Sequence, residues 1–136
     1  MSSPLSQLDI DVRWRDLDAN HHVNNAMYLS YLEEARVVWL NQIIADWKVT
    51  GGVPVLAAVQ LNFRRPIGYP ARVRVRQFVR RLGRSSLTLG STLSDSNDES
   101  CVFADGEVVL VWADPIAGTS MPLPEALRKI CEHAAD

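Results

Sequence analysis

The sequence predicts an α+β domain, in which a curved, five-stranded antiparallel sheet wraps around one long central helix and a short helix follows at the C-terminus. Three observations predict it. The segment Ala26–Trp47 contains no Gly or Pro and repeats apolar residues at intervals of three and four. Strand-like segments follow it in succession, with no helical pattern between them. The length of 136 residues, 47% of them apolar, suits a single domain over residues 1–136.

The first two elements are a strand and the long helix. Weak alternation of apolar residues predicts a strand over Asp9–Arg15. The helix over Ala26–Trp47 is apolar on too many faces to lie on a surface, so we expect the sheet to wrap most of it. Thr50, Gly51 and Gly52 end the helix, because glycine suits the positive φ of a helix C-terminus.

Four strands and a short helix complete the domain. The strand-like runs are separated by turn residues, among them Asp95–Asp98, whose composition is typical of a hairpin turn. Pro122 and Pro124 precede the last helix. The predicted bounds are Val55–Arg65, Ala71–Leu82, Ser86–Ser94 and Cys101–Ala113 for the strands, and Glu125–His133 for the helix.

The open edges of such a sheet predict a homodimer. The chain has only two lysines, Lys48 and Lys129, so few charges guard the edges against pairing. Pairing of the edges across a two-fold axis would satisfy them and cover the remaining apolar face of the long helix.

Composition excludes several classes of protein. No apolar run approaches the roughly 20 residues of a membrane span, and the N-terminus lacks the features of a signal peptide, so we expect a cytoplasmic protein. Cys101 and Cys131 lack metal-type spacing and are expected to be reduced. A net charge of −2 argues against nucleic acid as a partner.

The middle of the chain is basic. No Asp or Glu occurs between Asp46 and Asp95. This distribution suggests an anionic ligand, such as a phosphorylated substrate. The alternative is a strand surface whose arginines pair with acids from elsewhere in the chain, since runs of charge are usually exposed. The basic residues of the interval are Lys48, Arg64, Arg65, Arg72, Arg74, Arg76, Arg80, Arg81 and Arg84.

The segment Asp16–Asn25, just before the long helix, is the candidate site. It holds two carboxylates, two imidazoles and three carboxamides in ten residues. A helix start exposes unpaired N–H groups at the positive end of the dipole, which suit a developing oxyanion. Asp18 could act as general base or nucleophile, and the backbone N–H of Asn25 is the most plausible oxyanion donor.

Other interpretations of the same segment stay open. Asp18 could close an Asx-turn, and Asn24 could simply cap the helix. A metal site built from Asp16, Asp18, His21 and His22 is disfavoured, because adjacent histidines in such a loop rarely point the same way and no third histidine lies nearby.

The loop, together with Tyr28, Tyr31-Leu32-Glu33 and Ala35-Arg36, resembles the hotdog-fold acyl-CoA thioesterases of the 4-hydroxybenzoyl-CoA thioesterase family. The loop itself is also very similar to that of the plant acyl-carrier-protein thioesterases. Later segments resemble the family more weakly; they are Asn62–Pro66, Gly83–Leu87 and Ala104–Pro115.

The resemblance implies a hotdog dimer, often a dimer of dimers, that hydrolyses thioesters of CoA or acyl-carrier protein without a metal or other cofactor. It implies that Asp18 is the catalytic aspartate and that the Asn25 N–H meets the thioester carbonyl. Asn20 and His22 match a polar pair of the carrier-protein branch, and many members place glycine where Asn20 or His21 stands. The candidate contacts to the phosphorylated end of CoA are Arg84, Ser85, Arg64 and Arg65.

Acyl-thioester hydrolysis, with acyl-CoA as substrate, is therefore the predicted function. The alternatives are a catalytically silent acyl-CoA-binding module and an acyl-carrier-protein thioesterase. Dehydration, which other proteins of this fold catalyse, ranks lower, because Asp18 and His22 are one residue too close for the Asp-x-x-x-x-His loop of those enzymes.

Overall fold

The computed structural model describes residues 3–135, with backbone alone at 47, 48 and 135, and these residues form one sheet and two helices. The elements are β1 (Ser6–Asp11), α1 (Asn25–Ile43), β2 (Val53–Phe63), β3 (Arg72–Leu82), β4 (Ser86–Asp95), β5 (Asp98–Ala113) and α2 (Glu125–Ala135).

The sheet has five antiparallel strands in the order β1-β3-β4-β5-β2. The helix α1 connects β1 to β2, which are the two edges, and its buried side chains join the core. Leu87, Leu89 and Leu93 of the central strand β4 are almost fully buried. This arrangement confirms the predicted α+β hotdog fold. None of the helices in the described part of the chain is long and apolar enough to cross a membrane.

The predicted ends of the first strand and of the long helix were each four residues too late. The first strand ends at Asp11, not Arg15, because the chain turns into a short 3₁₀ helix over Trp14–Asp16. The N–H of Arg13, at the start of this turn, donates a hydrogen bond to the Asp16 carboxylate at 3.0 Å. Trp14, which lies within the predicted strand, is 73% exposed.

The long helix is also shorter than predicted. It ends at Ile43, and Ile44 adopts extended backbone with φ of −127° while its N–H still bonds to the Leu40 carbonyl. A separate 3₁₀ turn spans Trp47–Thr50. The apolar spacing persists through this turn, which is why the sequence pattern extended the helix to Trp47; the side chain of that residue lies outside the described set.

The other bounds differ by three residues or fewer, and one has a clear cause. Strand β2 ends at Phe63 rather than Arg65, because the N–H groups of Arg64 and Arg65 both donate to the Phe103 carbonyl, at 2.8 and 3.1 Å, and bend the chain out of the sheet.

Most of the basic residues on β3 form ion pairs on the exposed face of the sheet. Arg74 bonds to Asp9 at 2.9 Å and to Glu99 at 2.7 Å, and Arg76 bonds to Glu99 at 2.6 Å. Arg72 lies 3.5 Å from Asp11. For these arginines the second interpretation, a surface paired with acids from elsewhere, is confirmed. Those acids come from β1 and β5.

Candidate active site

The polar loop before α1 is a tight turn closed at its base. The Asp18 N–H donates to the His22 carbonyl at 2.8 Å, and Leu17 forms an antiparallel bridge with Val23. His21 sits at the tip with φ of 60°, a left-handed conformation that costs most residues energy and that glycine adopts freely.

The start of α1 offers a free backbone donor to this loop. Asn24 is the N-cap, and its side-chain Oδ1 accepts the Ala26 N–H at 2.9 Å, which confirms the capping interpretation. Within residues 3–135 the N–H of Asn25, the first residue of the helix, has no recorded hydrogen-bond acceptor. It therefore remains available at the positive end of the helix dipole.

The carboxylate of Asp18 is fixed on one side and free on the other. Its Oδ1 accepts the Asn20 N–H at 2.8 Å, so Asp18 does close an Asx-turn. No side chain or backbone group of the described chain donates to Oδ2. The turn therefore orients the carboxylate without occupying both of its oxygens.

Asp16, the other carboxylate of the loop, has a different role. It is 1% exposed and accepts hydrogen bonds from the Arg13 N–H at 3.0 Å and the Tyr31 hydroxyl at 2.8 Å. Burial alone would raise the pKa of Asp16, but these donors and the Arg13 charge lower the pKa below its usual range. Its backbone carbonyl accepts the Asn24 N–H at 2.9 Å. Asp16 therefore joins the loop to the helix, and its role is structural.

A polar cavity of about 320 Å³ brings the predicted residues together. Six of the eight candidates line it: Asp18, Asn20, His22, Asn25, Arg64 and Arg65. Arg64 is already held by Asp105 through two hydrogen bonds, of 3.0 and 3.2 Å. Over residues 3–135 no group of three or more His, Cys, Asp and Glu side chains is arranged to hold a metal ion.

Two aromatic residues in the cavity wall were missed as site residues by the sequence analysis. Tyr28 and Phe63 pack edge to face, with ring centroids 4.9 Å apart, and both line the cavity. The sequence singles out Tyr28 only within the segment that resembles the thioesterases, because no sequence signal shows where its hydroxyl points.

An apolar groove continues from this cavity between α1 and β2. Its volume is also about 320 Å³, and it shares Asn25 and Phe63 with the polar cavity. Ala26, Leu29, Val59 and Leu61 complete its walls. A ligand with a polar reacting group and an apolar tail would fit the cavity and the groove together.

Arg84 and Ser85 lie elsewhere, in the turn between β3 and β4. The Arg84 carbonyl accepts the Leu123 N–H at 2.9 Å, and its side chain is exposed. The cavity lies beside Phe63 of β2. Phe63 pairs with Ala104 of β5, and Ala104 pairs with Leu93 of β4. Leu93 is seven residues from Ser86, so Arg84 is more than roughly 20 Å along the strands from the cavity of the same chain.

The arrangement suits hydrolysis of an activated acyl group. A half-buried carboxylate with one free oxygen shares a cavity with an unpaired N–H at a helix start, which matches a base or nucleophile with an oxyanion donor. The fold and site together define a hotdog-type thioester hydrolase.

Comparison with known proteins agrees with this class. Residues 12–130 match the model of the Thioesterase-like superfamily, and the chain belongs to that family. It is 30% identical over 129 residues to the long-chain acyl-CoA thioesterase FadM of Escherichia coli, covering 93% of this chain and 97% of FadM.

Two solved structures are similar to this chain along nearly their whole length. The PA2801 protein of Pseudomonas aeruginosa is 35% identical, with a TM-score of 0.88 and coverage of 93% of this chain and 98% of that one. A Thermus thermophilus thioesterase, solved with coenzyme A and Zn, is 36% identical, with a TM-score of 0.82 and coverage of 98% and 96%.

Proposed function

We propose that the protein hydrolyses acyl-CoA thioesters to a free acid and CoA, with Asp18 as general base or nucleophile. The observation that carries this proposal is the pairing, in one cavity, of a free Asp18 carboxylate oxygen with the unbonded N–H of Asn25. With Asp18 as base, water adds to the carbonyl carbon and gives a proton to Asp18, and the Asn25 N–H stabilises the oxyanion. The C–S bond then breaks, and the CoA sulfur leaves as thiolate or takes the proton that Asp18 received from water.

The remaining cavity residues position the reactants. We assign Asn20 and His22 to orienting the water, Asp18 or the thioester. The apolar groove between α1 and β2 takes the acyl chain, since it opens directly beside Asn25. Arg65 forms no ion pair among the described residues and is therefore a better candidate for CoA phosphates than Arg64, which is bonded to Asp105.

CoA is a better-supported carrier than acyl-carrier protein. FadM is named for long-chain acyl-CoA, and the Thermus thioesterase was solved with coenzyme A. The loop is also similar to that of carrier-protein thioesterases, so the second carrier belongs in the same assay.

A homodimer formed through β2 completes the proposal. This strand is an edge of the sheet, and several of its apolar residues are exposed to solvent. Their exposed fractions are Val55 45%, Leu56 42%, Val59 41% and Phe63 51%. Leu29, Val37 and Val38 are exposed on α1. A second copy paired along β2 would bury both sets and extend the backbone hydrogen bonding of the sheet.

The same dimer would bring Arg84 of one subunit close to the substrate bound by the other. Antiparallel pairing of two β2 strands sets the Val53 end of one beside the Phe63 end of the other. The β3–β4 turn lies at the Val53 end of its sheet, so it would approach the partner's cavity rather than its own. We therefore place Arg84 and Ser85 at the phosphorylated end of CoA in the other subunit.

The proposal is tested with a panel of acyl-CoAs and acyl-carrier proteins, following release of free thiol. Turnover of acyl-CoA is expected, and tight binding of every acyl-CoA without turnover would instead favour a binding module. Activity should survive thorough chelation, because the proposed chemistry needs no metal; loss of activity that a divalent ion restores would contradict this part.

A further inference from the structure

The hydroxyl of Tyr28 is weakly engaged in the resting protein. Tyr28 is 2% exposed and lines the cavity with Asp18 and Asn25. Its hydroxyl donates to the Arg65 carbonyl at 3.4 Å, beyond the roughly 2.5–3.0 Å usual for a hydrogen bond between oxygens. A buried donor with so long a bond is free to turn to a better acceptor at little cost.

The geometry of α1 directs this phenol towards the proposed oxyanion position. Tyr28 lies three residues after Asn25, on the same face of the helix. Helix side chains lean back towards the N-terminus, so a long side chain covers the turn before its own Cα. The edge contact with Phe63 holds the ring against the wall where the polar cavity meets the groove.

We propose that the Tyr28 hydroxyl is a second hydrogen-bond donor to the thioester carbonyl oxygen, beside the Asn25 N–H, an assignment that rests on the proposed hydrolysis. Oxyanion sites act through donors fixed in a water-poor site, and a phenol donor at 2% exposure meets that requirement. Tyr28 donates a hydrogen bond and keeps its proton throughout, so the proton and electron balance of hydrolysis is unchanged.

Electrostatics keep this phenol protonated. Burial raises the pKa of Tyr28, and the nearby Asp18 charge raises it further, while a backbone hydrogen bond at Ile67 acts in the opposite direction. The net shift is upwards, so the hydroxyl remains a donor at every pH at which the domain would be assayed.

The chain contains three tyrosines, which supply a matched set of hydroxyl deletions. Tyr28→Phe should lower kcat about 100-fold, as loss of an oxyanion donor does, and raise KM by no more than several-fold, because the donor bonds the developing oxyanion more strongly than the ground-state carbonyl. Tyr69→Phe, at a side chain 49% exposed and away from the cavity, should match the parent. Unchanged kcat in Tyr28→Phe would overturn the assignment.

Two unreactive CoA analogues distinguish whether Tyr28 donates a hydrogen bond to the substrate carbonyl or only packs in the cavity wall. In one, a methylene replaces the thioester sulfur and the carbonyl is kept; the other is an S-alkyl thioether with no carbonyl. Tyr28→Phe should weaken binding of the ketone several-fold and leave binding of the thioether unchanged. Equal weakening of both, or of neither, would overturn the proposal. This comparison needs no turnover, so it stays decisive even if the parent proves not to hydrolyse acyl-CoA.

Discussion

The hydroxyl of Tyr31 donates a 2.8 Å hydrogen bond to the carboxylate of Asp16, and both groups are buried. The bond joins the second turn of α1 to the loop that carries Asp18. The Asp16 carbonyl accepts the Asn24 N–H, so the same residue also holds the N-cap of the helix. The distance between Asp18 and the Asn25 N–H therefore depends on this contact.

Removing the Tyr31 hydroxyl should destabilise the fold. Tyr31→Phe leaves a buried carboxylate with fewer donors, which should lower the free energy of unfolding by about 1–3 kcal/mol. Urea unfolding at fixed protein concentration measures this, since oligomers unfold in a concentration-dependent way. Tyr69→Phe is the control and should stay within about 0.5 kcal/mol of the parent. An equally small effect of Tyr31→Phe would mean that the bond does not stabilise the loop.

The order of the elements, and the candidate residues that line one cavity, were readable from the sequence. Helical spacing over α1 and turn residues between the strands are local signals, and they led to the correct fold. The polar loop is equally local, so the presence of Asp18 and Asn25 in one cavity could be predicted. The predicted ends of β1 and α1 were wrong because short 3₁₀ turns, over Trp14–Asp16 and Trp47–Thr50, interrupt the regular structure where the apolar spacing continues.

The arginines show what sequence patterns cannot resolve. Arg74 and Arg76 were candidate anion contacts because no acid lies near them in the chain, but Asp9 and Glu99 reach them from neighbouring strands. Such pairing depends on strand order, which local composition does not encode. The orientation of the Tyr28 hydroxyl depends in the same way on where the 65–67 segment passes.

His21, which has a positive φ at the tip of the loop before α1, gives a second prediction. His21→Gly should leave thioesterase activity unchanged and alter stability by less than about 1 kcal/mol, because relief of the positive φ roughly offsets the larger entropy of glycine in the unfolded chain. His22→Gly is the matched comparison, since His22 lines the cavity, and it should lower activity. Loss of activity in His21→Gly would make the tip histidine a functional residue.

Placement of Arg84 across the subunit boundary gives a third prediction. Arg84→Ala should raise KM for acyl-CoA about 10- to 150-fold with little change in kcat, because a contact to a distant phosphate stabilises ground and transition states alike. A short pantetheine thioester lacks those phosphates and should be hydrolysed equally by variant and parent.

Mixed dimers test the same placement. If each site combines Asp18 of one subunit with Arg84 of the other, a dimer of Asp18→Asn with Arg84→Ala contains one intact site. Refolding the two variants together should therefore restore activity at low acyl-CoA concentration. If both residues served the same subunit, no intact site would form, and the mixture would show no gain over the separate variants.

The most direct test of the central claim is kcat for acyl-CoA in Asp18→Asn. Asparagine keeps an oxygen to accept the Asn20 N–H, so the Asx-turn and the fold should persist. It cannot accept a proton from water or attack a carbonyl as a carboxylate does, so kcat should fall about 100-fold or more. Binding of an unreactive acyl-CoA analogue should be retained. Turnover equal to that of the parent would contradict the assignment of Asp18.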